Sequence, residues 1–144
     1  MRFWDPSALV PIIVDEPTAD GVRTLLRSDP LVAVAWHSEV ECGSAIARLE
    51  RTGTLTTDRV DECYRRLDAL HSEWIPTQPT DAIRTSAVRL LRVHDLRAAD
   101  ALQLASAIAA AEGHPPPLEF VSLDDRLNGV ARREGFPLVV PEAG

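Results

Sequence analysis

The chain contains no lysine: all fifteen of its basic residues are arginine. That absence removes Schiff-base chemistry, a phosphate-loop lysine and a receiver-type phosphoacceptor, each of which needs an amine. Cysteine is scarce as well. Cys42 and Cys63 lack Cys-x-x-Cys spacing. In a chain of 144 residues, long enough to bury a core without staples, two such thiols are expected to be small buried apolar residues rather than a disulfide. The four histidines, His37, His71, His94 and His114, are scattered and form neither His-Glu-x-x-His nor a Cys/His pair, which argues against zinc. Gly-x-Gly-x-x-Gly, Walker A and Gly-x-Ser-x-Gly motifs are missing too. No apolar run approaches the roughly 20 residues that span a bilayer. The start, MRFWDPSALVPIIVDEP, has neither the basic flank nor the cleavage site of a signal peptide. An intracellular, cytoplasmic protein with no membrane partner is expected. Internal repeats and low-complexity tracts are absent, and one domain over residues 1–144 is expected.

What is abundant is acid. The net charge is −7 and the pI near 5.0. That balance argues against a broad phosphate-binding surface. It leaves room for a nucleic-acid substrate if a bound divalent ion offsets carboxylate charge locally. The arginines suit bidentate phosphate contacts.

Hydrophobic patterning alternates strand and helix. Arg2–Trp4 reads as a short strand ending at Asp5, followed by an apolar helix from Ala8 to about Val14. A helix from Pro17 to about Arg27 comes next. Leu31–Ala35, LVAVA, is a continuous apolar run, as in a strand buried on both faces. Helices follow over Ser38–Arg51 and from Thr57, as its cap, through Leu70. A short strand is expected at Trp74-Ile75, then a helix opened by Thr80. Ala98–Glu112 is apolar nearly all round and is expected to be central. Gly113 ends it and three prolines forbid continuation. A strand at Phe120–Leu123, a helix at Arg126–Glu134 and a strand at Phe136–Val140 close the chain. This order predicts an α/β fold with a mostly parallel central sheet flanked by helices on both faces. In such sheets ligands bind beyond the carboxyl ends of the strands.

Four acidic residues fall at or near that edge: Asp5, Glu41, Asp100 and Asp124. Each has a structural explanation beside the functional one. Asp5 or Ser7 could cap the first helix. Glu41 stands three residues after Ser38, the spacing of a capping box, while Glu39 is expected to point to water. Of Asp124 and Asp125, one is expected to cap the last helix and the other to be spare. His37 is expected to be solvated. Asp100 is the least explained: the helix N-terminus contributes about 0.3–1 kcal/mol, and desolvating a carboxylate costs several times more. Carboxylates that meet without bases among them need a cation: two charges 4 Å apart repel by roughly 4 kcal/mol at an effective dielectric near 20.

Four segments, FWDPSALV, SEVECGSAIARLER, LRAADALQLASA and FVSLDDRLNGVARREGF, in this order across the whole chain, resemble the PIN domain family and specifically the VapC-type toxins of bacterial toxin–antitoxin pairs. The resemblance implies a PIN-like fold and an acidic metal site of Asp5, Glu41, Asp100 and Asp124, supported by the Ser7 hydroxyl. The fourth position rests on Asp124 or Asp125, with Asp124 matching the family's D-x-R-L. Pro6 stands where the family commonly has Thr or Ser, and Gln103 where His is common.

The activity implied is endoribonuclease action dependent on Mg²⁺ or Mn²⁺, with Asp5 and Asp100 as direct ligands, Glu41 and Asp124 holding waters or a second ion, and Arg97 and Arg126 as phosphate contacts. Implied partners are an RNA substrate, a second copy of the chain and a cognate antitoxin. The competing class is a PIN-like module that binds RNA or protein without cutting.

Overall fold

A computed structural model describes residues 1–142. Its centre is a sheet of five strands, β1 (Arg2–Trp4), β2 (Val32–Ala35), β3 (Ile75–Thr77), β4 (Glu119–Val121) and β5 (Leu138–Val139), in the order β3-β2-β1-β4-β5. Every pairing is parallel, so the expected mostly parallel sheet is parallel throughout. Parallel neighbours need crossovers, and helices supply them. Between β1 and β2 run α1 (Pro6–Ile13), a 3₁₀ turn at Pro17–Ala19 and α2 (Asp20–Ser28). Between β2 and β3 run α3 (Ser38–Arg51) and α4 (Thr57–His71). Between β3 and β4 run α5 (Asp81–Val93) and α6 (Ala98–Ala110), and α7 (Asp125–Arg133) joins β4 to β5.

The two-residue period of the strands sorts the core into two layers. Trp4, Val32, Val34 and Val121 point to one face, against α1, α2, α3 and α4. Phe3, Ala33, Ala35 and Phe120 point to the other, against α5, α6 and α7. Phe3 stacks on Phe120 with ring centroids 5.8 Å apart, and Phe120 meets Phe136 at 5.7 Å. Phe3, Trp4 and Phe120 are fully buried, and each such side chain contributes roughly 1.5–3 kcal/mol of hydrophobic stabilisation. The alanines of α6 let it lie close on the sheet, with Ala101, Leu104, Ala105 and Ala107 buried, as its all-round apolar sequence predicts.

Several element ends differ from the sequence reading. Pro17 opens a 3₁₀ turn, and α2 proper begins at Asp20. Thr57 is the first residue of α4 and Thr56 precedes it as cap. Thr80 does cap α5, its hydroxyl accepting from Ile83 N at 3.3 Å. β3 contains Pro76, which the sheet tolerates because β3 is an edge strand. The expected capping box at Ser38 and Glu41 does not form. The cap of α3 is His37, and the fully buried Ser38 hydroxyl turns inward to Gln103 instead. Cys42 and Cys63 are both buried and free. Burial pushes the Cys42 thiol up to about 12, which leaves it without nucleophilic character.

The strand order reverses between β1 and β4. From β1 the chain builds outward through β2 to β3, then returns to add β4 and β5 on the other side. Crossovers that diverge from one point leave a crevice beyond the carboxyl ends of the two central strands. Asp5 directly follows β1 and Ser122 directly follows β4 at that point.

Candidate active site

A cleft of about 400 Å³ opens at this edge, lined in part by Asp5, Ser7, Glu41, Asp100 and Asp124. A second lobe of about 470 Å³ shares Glu41, Arg48, Asp100 and Asp124 with it and adds Arg97 and Arg126. The structure thus brings all four acidic residues singled out in the sequence to one cleft. Asp125 is exposed and lines neither lobe.

Asp5 is the most deeply placed, at 6% exposure. Its backbone N–H donates to Val121 O at 2.9 Å, which ties the end of β1 to β4. Its side chain caps α1 by accepting from Ser7 N at 3.1 Å. The Ser7 hydroxyl donates to the same oxygen, Oδ2, at 2.5 Å, and the Ser122 hydroxyl reaches it at 3.2 Å. Burial pushes the Asp5 carboxyl from 3.8 up to about 6; the Ser7 bonds oppose this, the Glu41 charge adds to it, and the Ser122 bond opposes it.

Asp100 lies in the first turn of α6. Burial raises its pKa, and the nearby Asp124 charge raises it further. Asp124 caps α7 through Oδ1, accepting from Arg126 N at 3.0 Å and Leu127 N at 3.2 Å. Of the Asp124-Asp125 pair, the capping residue is therefore also the one in the cleft. Glu41, in the first turn of α3, accepts from Gln103 Nε2 at 3.1 Å through Oε1. His37 Nε2 stands 3.1 Å from the same oxygen, close enough for an ion pair but out of line for a hydrogen bond. His37 is therefore half-buried beside Glu41 rather than solvated, because its place at the start of α3 sets it one helical turn before that residue.

Carboxylate oxygens dominate the donors of the cleft, and hard oxygens select Mg²⁺ or Mn²⁺ over softer ions. No three of the four cleft carboxylates bring ligand atoms within 4.8 Å of one another; among the described residues Glu39, Asp68 and His71 do, on the exposed surface, where His71 and Glu39 already approach to 3.4 Å. A Mg²⁺ ion typically contacts one or two carboxylates and keeps several waters, so it needs no such triad. Glu39 stays outside the cleft, as its sequence position suggested.

Sequence reasoning missed four cleft residues and supports. Ser122 and Gln103 hydrogen-bond Asp5 and Glu41. Glu16 also lines the first lobe. Arg48 lines both lobes, and its position seven residues after Glu41 puts it two turns along the same face of α3, a signal the sequence carried. Arg126 is tied to Asp95, to the backbone carbonyl at 3.2 Å and the carboxylate at 3.3 Å. Arg48 and Arg97 carry no such tie among the described residues.

Comparison with known proteins gives this cleft a context. The chain is similar to ribonucleases. It is 27% identical over 133 residues to Ribonuclease VapC45 of Mycobacterium tuberculosis (strain CDC 1551 / Oshkosh), covering 92% of this chain and 90% of that protein. The same figures hold for Ribonuclease VapC49 of M. tuberculosis (strain ATCC 25618 / H37Rv). Among solved structures, FitAcB from Neisseria gonorrhoeae aligns with a TM-score of 0.67 over 96% of each chain. At 15% identity that likeness speaks to the fold alone. No protein-family model matches the chain. None of the described helices is long and apolar enough to cross a membrane.

Proposed function

We propose that the chain is an endoribonuclease dependent on Mg²⁺ or Mn²⁺ and the toxin of a VapC-type toxin–antitoxin pair. The observation that carries this reading is the convergence of Asp5, Glu41, Asp100 and Asp124 on one cleft, in a chain similar to two ribonucleases along 92% of its length. The donor set fits a divalent cation. Asp5 and Asp100 both lie where burial disfavours their negative charge, and neighbouring carboxylates add to that cost. All three side-chain bonds of Asp5 fall on Oδ2, so Oδ1 is the oxygen for a ligand.

Asp5 and Asp100 would hold the ion directly, with Glu41 and Asp124 taking its waters or a second ion. Bound there, it supplies an acidified water and offsets charge on the phosphate. Ser7 and Ser122 fix the orientation of Asp5. Glu41 or Asp124 orients the attacking water. Arg97 and Arg126, joined by Arg48, contact phosphate oxygens, for which the guanidinium fork is well shaped. The acidic cleft of a chain with net charge −7 suits an arginine-bearing inhibitor segment, the antitoxin, and free of it the toxin, as a homodimer, cuts RNA and stops translation and growth.

The test is cleavage of total RNA by purified protein with Mn²⁺ or Mg²⁺. Asp5→Asn and Asp100→Asn are expected to lose at least roughly a hundredfold in rate, the scale of losing one preorganised electrostatic group. Variants that cleave as well as the parent would overturn the reading.

A further inference from the structure

Gln103 is the one amide in the apolar stretch AADALQLASAIAA of α6, and it is 1% exposed. Burying a primary amide is costly unless its hydrogen bonds are made. A residue that only filled space here would be Leu or Met. The amide instead bridges two helices. Nε2 donates to Glu41 Oε1 at 3.1 Å and to Ser38 Oγ at 3.1 Å, both on α3. An ionised carboxylate only accepts, so the nitrogen of the amide must face Glu41; the flipped amide would set oxygen against oxygen. Gln103 also lies three residues after Asp100, on the same face of α6. One helix therefore presents Asp100 to the cleft and grips Glu41 across it.

We propose that Gln103 is a positioning residue: its buried amide holds the Glu41 carboxylate in one orientation at the cleft wall, so that Glu41 meets a divalent cation preorganised. A free glutamate spreads over many rotamers and gives up that freedom on binding. Glu41 is about a third exposed, and His37, 3.1 Å from its Oε1, is out of line for a hydrogen bond, so the directed contact comes from Gln103. The inference rests on the metal-dependent reading of the cleft. The competing role is a tether, in which Gln103 joins α6 to the buried Ser38 and its contact with Glu41 is incidental.

Two measurements on the full chain separate these roles. The first is NMR of the side-chain amides. The chain has two glutamines and one asparagine, so three amide pairs are to be assigned. In metal-free protein the Gln103 Nε2 protons are expected to exchange slowly and to shift in Glu41→Gln, while those of the exposed Gln78 do neither. The second is Mn²⁺ binding without RNA, followed by the EPR signal of the free ion. Gln103→Met, isosteric but without a donor, is expected to weaken binding about tenfold, the lower end of what outer partners of metal ligands contribute. In a Glu41→Gln background the same change is expected to cost under twofold, and Ser38→Ala alone under twofold.

Equal losses from Gln103→Met in both backgrounds, or a loss in Ser38→Ala that matches it, would overturn the proposal in favour of the tether. So would a Gln103→Met protein that folds and binds Mn²⁺ as the parent does. A parent chain that binds no Mn²⁺ overturns the reading of the cleft itself, and the two failures are thereby distinct.

Discussion

The hydroxyl of Ser122 donates to Asp5 Oδ2 at 3.2 Å, joining the ends of two strands that are 117 residues apart in sequence. Ser122 is fully buried, and the same hydroxyl accepts from Asp124 N at 3.0 Å and meets Ser7 Oγ at 3.1 Å. One small side chain thus serves two of the four cleft acids. Ser122→Ala is expected to destabilise the protein by about 1–3 kcal/mol, the cost of stranding buried polar partners. It should also drive the Asp5 carboxyl above its present value, since the bond it loses favours the ionised form. Urea denaturation measures the first and carboxyl NMR titration the second.

The pH dependence of the metal-free protein follows from Asp5. Its carboxyl titrates near 6 when folded and near 3.8 when free. Folding therefore favours the neutral form. The stability this contributes is complete below about pH 3.8 and is lost as the pH rises through 6. The full effect is about 3 kcal/mol at most. Asp5→Asn, which keeps the shape without the charge, is expected to be more stable than the parent in EDTA at pH 7.5 and equal to it near pH 4. An equal difference at both pH values would contradict the assignment of the effect to this carboxyl.

Asp124 combines a cap and a charge, and two substitutions separate them. Asparagine caps a helix about as well as aspartate, whereas alanine costs roughly 0.5–2 kcal/mol. Asp124→Ala is expected to melt lower than the parent with or without metal. Asp124→Asn is expected to match or exceed the parent in EDTA. It should gain less from Mn²⁺, which in the parent is expected to raise stability by about 2.7 kcal/mol at a hundred times its Kd. Thermal melts of the three proteins in EDTA and in Mn²⁺ check both halves.

Gly21, in the first turn of α2, lies under the backbone of the C-terminal segment. A Cβ there would stand 2.0 Å from Glu142 O. Alanine gains up to about 1 kcal/mol of helix propensity over glycine, so Gly21→Ala is expected to change global stability little while displacing residues 140–142. Limited proteolysis should cut that segment faster in the variant, with the melting temperature nearly unchanged.

The fold was legible because its signals are local. LVAVA declares a doubly buried strand, Thr80 a cap, and the three prolines after Gly113 a stop. Phe3 and Trp4, adjacent and both apolar, mark a strand that feeds both layers. The four acids stood out because a charge beside an apolar strand or helix invites explanation. Their supports were hidden for the opposite reason. A serine after Phe120-Val121 is unremarkable, and its meeting with Asp5 depends on β1 pairing with β4, which no local pattern states. Ser38 fitted a capping box by spacing alone, but burial and the reach of Gln103 from α6 drew its hydroxyl inward. Gln103 did carry a signal, as a lone amide in an apolar helix.

The placement of β1 between β2 and β4 also has a consequence in time. Residues 1–77 can lay down three neighbouring strands as they emerge from the ribosome, yet the cleft lacks Ser122 and Asp124 until β4 has arrived beside β1. A growing chain therefore carries Asp5 and Glu41 early but cannot assemble the acidic cleft until residue 124 and the strand before it have been made.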